Sequence, residues 1–241
     1  MIKAVLFDMD DTLLDINLTL FATRFYAREA RILGHVARKP WIPIGAAIVR
    51  SYLAVADEGR EDDLTNESLF DQTFERATGI PLDEPAIADA LGYYEREILP
   101  HMNGTLVNAH PEPGGLAAVD KARDLGLTVA LATNPSFSEA VVRCRMRWAG
   151  IDGEDFARVS HMGNSTRVKP SARYYEEFCS AIGFAPYECI MVGNDASRDF
   201  PRPDCGLVTA YVGHARPKRA TWRGSMRNLA IDLPYLVETL G

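Results

Sequence analysis

The sequence has little of what staples, spans or grips polyanions. It contains only four cysteines, Cys144, Cys179, Cys189 and Cys205. They show no C-x-x-C spacing and have no histidine nearby, which excludes a zinc knot and argues against a disulfide framework. Thiols this few and scattered read as core-filling groups of a reducing, cytoplasmic compartment. Long hydrophobic runs are also missing. The most apolar stretch, "WIPIGAAIV" from Trp41 to Val49, contains Pro43 and stops at Arg50, so it is too short to cross a bilayer and reads as a buried helix. No apolar leader precedes Asp8. Nor is there a basic excess: 26 Lys and Arg against 33 Asp and Glu give a formal net charge of −7. That balance disfavours nucleic acid and anionic membranes as partners.

What is present is apolar material enough for one large domain or a core with an insertion, 47% of 241 residues. The apolar runs are short and end in polar residues. "AVLF", Ala4 to Phe7, delivers Asp8 and Asp10 at its end, and "LTVALATNP", "CIMVGND" and "CGLVTAYVG" follow later. Helical patterns near 115–125, 136–149 and 171–182 separate these later runs. The alternation predicts an α/β fold, a doubly wound and mostly parallel sheet formed by residues 1–15 and 109–241. Residues 16–108 break the rhythm with helical patterns such as "LTLFATRFYAREARILGHV" and "ESLFDQTFERATG". They read as an inserted helical cap domain. Pro111, Pro113, Gly114 and Gly115 at its end supply a linker or hinge.

In an open parallel sheet, ligands sit beyond the carboxyl ends of the strands. Three such ends are polar here: Asp8 and Asp10, Thr133 and Asn134, Asn194 and Asp195. With Lys169 in "RVKPS" they make a complete site for an anionic substrate. A carboxylate can attack phosphorus and split hydrolysis into two easier steps. A second carboxyl two residues on can protonate the leaving oxygen and then activate water. Thr133 and Asn134 offer hydroxyl, amide and backbone donors to the phosphate, near the start of the next helix. Lys169 adds a point charge against developing negative charge.

These segments resemble a known family. "FDMDDT" is similar to the D-x-D-x-T/V motif of the haloacid dehalogenase-like hydrolase superfamily, "ATNP" to its second motif, "VKP" to its lysine motif and "VGNDASRD" to its terminal acidic motif. All four occur in the family's order, and the helical insertion follows the first motif where a C1-type cap belongs. The resemblance implies a Mg²⁺-dependent phosphatase acting on a small phosphorylated metabolite. Asp8 would be the nucleophile, Asp10 the acid/base, and Thr133, Asn134 and Lys169 the phosphate-holding residues. It implies that Mg²⁺ is held by Asp8, by the backbone carbonyl of Asp10 and by an acidic residue of the last motif. There the chain departs from the commonest form, with Gly193-Asn194-Asp195 in place of Gly-Asp. Asp195 is the expected ligand, Asn194 is an alternative amide donor, and Asp199 is expected to order water or Lys169. A phosphomutase, a metal-free dehalogenase and a non-catalytic module on the same fold are the competing readings.

The remaining features have plainer readings. Asp11 and Thr12 suit a turn or a cap. The histidines at 35, 101, 110, 161 and 214 lie outside the motifs. Arg143, Arg145 and Arg147 alternate along a helical segment and so do not share one face, which argues against a phosphate site there. "RPKRATWRGSMR", Arg216 to Arg227, reads as a solvated connection.

Overall fold

The computed structural model describes residues 1–240. In chain order, the first half contains β1 (Ala4–Phe7), β2 (Leu14–Ile16), α1 (Leu18–Val36), α2 (Trp41–Val55), α3 (Asn66–Thr78), α4 (Pro85–Tyr93) and β3 (Ala109–Pro111). The second half contains α5 (Gly115–Asp124), β4 (Thr128–Leu131), α6 (Glu139–Trp148), α7 (Ala172–Ala181), β5 (Cys189–Gly193), β6 (Val208–Val212), β7 (Trp222–Gly224) and α8 (Met226–Leu240).

All four side chains of β1 are buried because helices cover both faces of the sheet it belongs to. Side chains alternate across a strand, so Val5 and Phe7 join one apolar cluster with residues of α5, α6 and α8. Ala4 and Leu6 join the other, with Tyr175, Phe178 and Cys179 of α7. The strand order is β4-β1-β5-β6-β7, and every neighbouring pair is parallel. The doubly wound parallel sheet expected from the sequence is therefore present. Phe7 lies level with both Leu131 and Val192. The polar ends of three strands consequently emerge together on one edge.

Two features differ from the sequence reading. The basic stretch after Arg216 is not only a connection: Trp222–Gly224 is an edge strand, with Ala210 opposite Trp222 and Val212 opposite Gly224. Trp222 packs on the larger core, and its indole N–H donates to Asp232 at 3.0 Å. The arginines masked this short strand because an edge position leaves their charged ends in water. The segment from Trp41 is a helix, but only half of it is buried. Ile44, Ala47, Ile48 and Val55 face inward, whereas Ile42 and Val49 are 66% and 57% exposed.

β2 and β3 form a two-stranded antiparallel ribbon, Leu14 opposite Pro111 and Ile16 opposite Ala109. The ribbon brings the two ends of the helical insertion side by side. α1 begins where the Asn17 side chain accepts from the N–H of Leu20 at 2.9 Å, the usual Asn cap. α1 to α4 enclose their own apolar cluster around Leu33, Ile48, Phe70 and Phe74. The insertion also grips the loops after β4 and before α7. Asn66, fully buried, donates to the carbonyls of Pro135 and Arg167 at 3.1 Å each. The Tyr26 hydroxyl donates to the Ser136 carbonyl at 3.0 Å. Among the described residues no helix is long and apolar enough to cross a membrane.

Candidate active site

Sheet bonding continues one residue past β1, where the Asp8 N–H donates to the Val192 carbonyl at 2.9 Å. The chain then curls: the N–H groups of Thr12, Leu13 and Leu14 all point to the Met9 carbonyl at 2.8 to 3.2 Å. Asp11 takes a left-handed φ of 56° and accepts from the Ile16 N–H at 3.3 Å, which fits its reading as a turn residue. Asp8 and Asp10 thereby line one cavity of about 540 Å³, together with Asn134, Lys169, Asn194 and Asp195.

Lys169 is buried between two carboxylates, its Nζ 2.7 Å from Asp8 Oδ1 and 2.9 Å from Asp199 Oδ1. Its backbone N–H donates to Asn134 Oδ1 at 3.2 Å, so Asn134 fixes the loop that carries the lysine. Asp199 is held in turn by the Asp195 N–H at 2.8 Å. A Cβ built on Gly193 would overlap the Asp199 carboxylate, which explains glycine at the end of β5. Burial pushes the Asp8 carboxyl above the usual carboxylate range; Lys169 opposes that rise and Asp10 adds to it. Burial likewise pushes Asp199 up to about 6, against the pull of Lys169. For Lys169 burial acts to lower the pKa, but Asp199 and Asp8 outweigh it and hold the ammonium charged.

Thr133 is buried, and its hydroxyl has no hydrogen-bond partner within the chain. Its carbonyl accepts from the Ser160 and Tyr174 hydroxyls at 2.6 and 3.1 Å. A buried hydroxyl left free among satisfied neighbours suits a ligand oxygen. α6 starts only at Glu139, with Ser138 as its cap, so a loop separates Thr133 and Asn134 from the helix end.

Two residues that touch the candidate site escaped the sequence reading. The Thr12 hydroxyl, classed there with the turn formers, lies 3.4 Å from Asp8 Oδ2 and 3.3 Å from Asn194 Oδ1, and it has one proton for the two. Arg145, discounted from its spacing, is completely buried, and its Nη1 lies 2.8 and 2.6 Å from the two oxygens of Asp10. Its guanidinium packs over the Phe137 ring at 4.6 Å. Arg143 instead pairs with Glu139 near the surface. Arg143 and Arg147, four residues apart, share the exposed face of α6, whereas Arg145 lies between them on the buried face.

Asn194 and Asp195 differ in their surroundings. Asp195 Oδ1 accepts from the backbone and hydroxyl of Ser197 at 2.9 and 2.5 Å. Partial burial acts to raise the Asp195 pKa, but the Ser197 bonds and Arg198 hold it below the usual range. Asn194 Oδ1 faces Thr12, beside Asp8. Among the described residues no three His, Cys, Asp or Glu side chains converge on one point. The donors at this edge are mixed: carboxylate, amide and backbone oxygens, all hard ligands that suit Mg²⁺.

A parallel α/β sheet with a buried Asp-Lys-Asp set at its carboxyl edge defines an enzyme core built for group transfer. Residues 2–201 match the haloacid dehalogenase-like hydrolase family, and the chain belongs to it. The protein is 28% identical over 221 residues to a phosphoserine phosphatase of Thermus thermophilus, a match covering 82% of each chain. Among solved structures it resembles a HAD phosphatase from Thermococcus onnurineus, with TM-score 0.57, 19% identity and 98% of each chain covered. It also resembles the L-2-haloacid dehalogenase of Xanthobacter autotrophicus, with TM-score 0.53, 17% identity and all of both chains covered. These two likenesses show the shared fold.

Proposed function

We propose that the protein is a Mg²⁺-dependent phosphatase that hydrolyses a small phosphorylated metabolite through an aspartyl phosphate on Asp8. The observation that carries this reading is the Asp8 carboxylate: one oxygen is engaged by Lys169, while the other faces Thr12 at the cavity that Asp10 also lines. The phosphoserine phosphatase relative supports phosphorus rather than carbon as the centre attacked.

In the first step Asp8 Oδ2 bonds to phosphorus as the ester P–O bond breaks, and the leaving oxygen takes a proton from Asp10. In the second, Asp10 removes a proton from water as its oxygen attacks phosphorus, which releases phosphate and restores the Asp8 carboxylate. Lys169 and the free Thr133 hydroxyl hold phosphate oxygens, and Asn134 keeps the lysine in place. Mg²⁺, when bound, would offset the repulsion between the phosphate and this acidic edge. The residues that would hold it are the Asp8 carboxylate, the Asp10 backbone carbonyl and the Asn194 amide oxygen. Asp195, the ligand expected from the sequence, has Oδ1 engaged by Ser197 and contributes charge beside the site. Residues 16–108 act as the cap that covers the leaving group. Four free cysteines, three of them buried, accord with a cytoplasmic location.

Phosphate release from an aryl phosphate, measured with Mg²⁺ and then with EDTA, tests the reading. Metal-dependent turnover is expected, and Asp8→Asn should fold normally yet lose at least about 10³-fold in kcat. Substantial Mg²⁺-dependent activity in Asp8→Asn would overturn the assignment of the nucleophile. Halide release from a 2-haloacid without metal would favour dehalogenation.

A further inference from the structure

A second cavity, of about 720 Å³, opens beside the acidic one. The two share Leu18, Thr19, Asn134 and Arg198, so a molecule held by its phosphate at Asp8 extends into this space. Its character is the opposite of its neighbour's. The acidic cavity is lined by Asp8, Asp10, Asp11, Asp15, Asp195 and Asp199. In the second, Arg198 is the only charged residue.

The walls come from α1, α2 and the loop after β4. Tyr26 stacks on the buried Phe137, ring centroids 5.6 Å apart and planes within 9°, and Tyr52, Ile48 and Ala30 line the cavity with them. The Tyr26 hydroxyl is already spent on the Ser136 carbonyl. Ile42 and Val49 also line this space and stand largely in water, although they share a helix with a well-packed inner face. Exposed apolar side chains beside an apolar cavity mark a ligand groove.

Resting on the phosphatase reading above, we propose that the substrate is a phosphate monoester of an apolar alcohol or phenol, whose aromatic or branched leaving group lies against Tyr26 and Phe137. A zwitterionic leaving group such as serine is disfavoured. Its ammonium would meet no carboxylate in this cavity, and an unpaired charge out of water is costly. Arg198, at the junction, lines both cavities and lies 3.7 Å from Asp195.

The test compares kcat/KM for 2-naphthyl phosphate and phosphoserine in the parent enzyme, with acetyl phosphate as a probe of the chemistry alone. Binding of 2-naphthol to Asp8→Asn, followed by calorimetry, reports the cavity without turnover. The expected result is a preference of roughly 100-fold for the naphthyl ester, together with measurable naphthol binding. Val49→Glu, on the exposed wall, should weaken naphthol binding and raise KM for the naphthyl ester about ten-fold. Hydrolysis of acetyl phosphate with phosphoserine equal to or better than the naphthyl ester would overturn the proposal and leave the phosphatase reading standing. Loss of all Mg²⁺-dependent turnover, acetyl phosphate included, would overturn both.

Discussion

At the scale of single residues, the pairing of Arg145 with Asp10, the proposed acid/base, gives that carboxyl a fixed place on the cavity wall. Only one guanidinium nitrogen, Nη1, makes the contact, while Nε and Nη2 find no partner. A lysine ammonium could therefore reproduce much of the interaction, whereas an apolar side chain could not. Arg145→Met is expected to lower kcat by about 10² and to alter the pH profile of kcat, because it leaves Asp10 unheld. Arg145→Lys should recover part of the rate. Equal rates and profiles in Arg145→Met and the parent would show that the arginine only fills space. The Asn194 and Asp195 assignments separate by titrating Mg²⁺ against rate. Asn194→Ala should raise the half-saturating Mg²⁺ concentration more than Asp195→Ala does, since Asp195 Oδ1 already accepts twice from Ser197. The opposite order would return direct ligation to Asp195.

Among the elements, α1 carries a cost unrelated to the chemistry. Glu29 is half-buried, its Oε2 has no hydrogen-bond partner, and burial followed by Glu95 and Asp71 pushes its pKa up to about 8. The folded value lies above the unfolded one. The resulting stabilisation is thus fully present below about pH 4.5 and disappears as pH rises towards 8. Above that, the fold must hold an unpaired carboxylate. Glu29→Gln should therefore be more stable than the parent at pH 8.5 by on the order of 2 kcal/mol, with the gap closing near pH 4.5. Thermal unfolding at the two pH values measures this. A gap of the same size at both would assign the effect to packing instead of charge.

For the molecule as a whole, the insertion is tethered at several places, two of which could act as hinge and latch. The β2–β3 ribbon joins its ends to the sheet, and Asn66, with Arg167 donating to the carbonyls of Arg60 and Asp62 at 2.8 Å, ties the start of α3 to the loop before Lys169. A cap that closes over the phosphoenzyme would bend at the ribbon and use the Asn66 clasp as its latch. Beryllofluoride with Mg²⁺, an aspartyl phosphate mimic, should therefore slow hydrogen exchange around residues 14–20, 60–67 and 108–115 relative to the sheet strands. Bound analogue with unchanged exchange in all three segments would mean a fixed cap whose pocket is already formed.

The sequence by itself determined the order of four sheet strands, β1, β4, β5 and β6, and the residues at their ends. Both rest on short-range rules: a strand shows its face by alternation, and turn chemistry at its end delivers Asp8, Thr133 or Asn194 wherever the strand stops. Tertiary structure alone decided what these residues meet. Arg145 reaches Asp10 across 135 positions, Thr12 turns towards Asp8 instead of simply serving its own turn, and Trp222–Gly224 becomes a strand because β6 offers a free edge. The apolar cavity beside the catalytic carboxylates likewise exists only where α1 and α2 lie against the loop after β4. Which face of a helix turns inward, and against what, depends on packing between segments far apart in the chain, and no local pattern of residues encodes it.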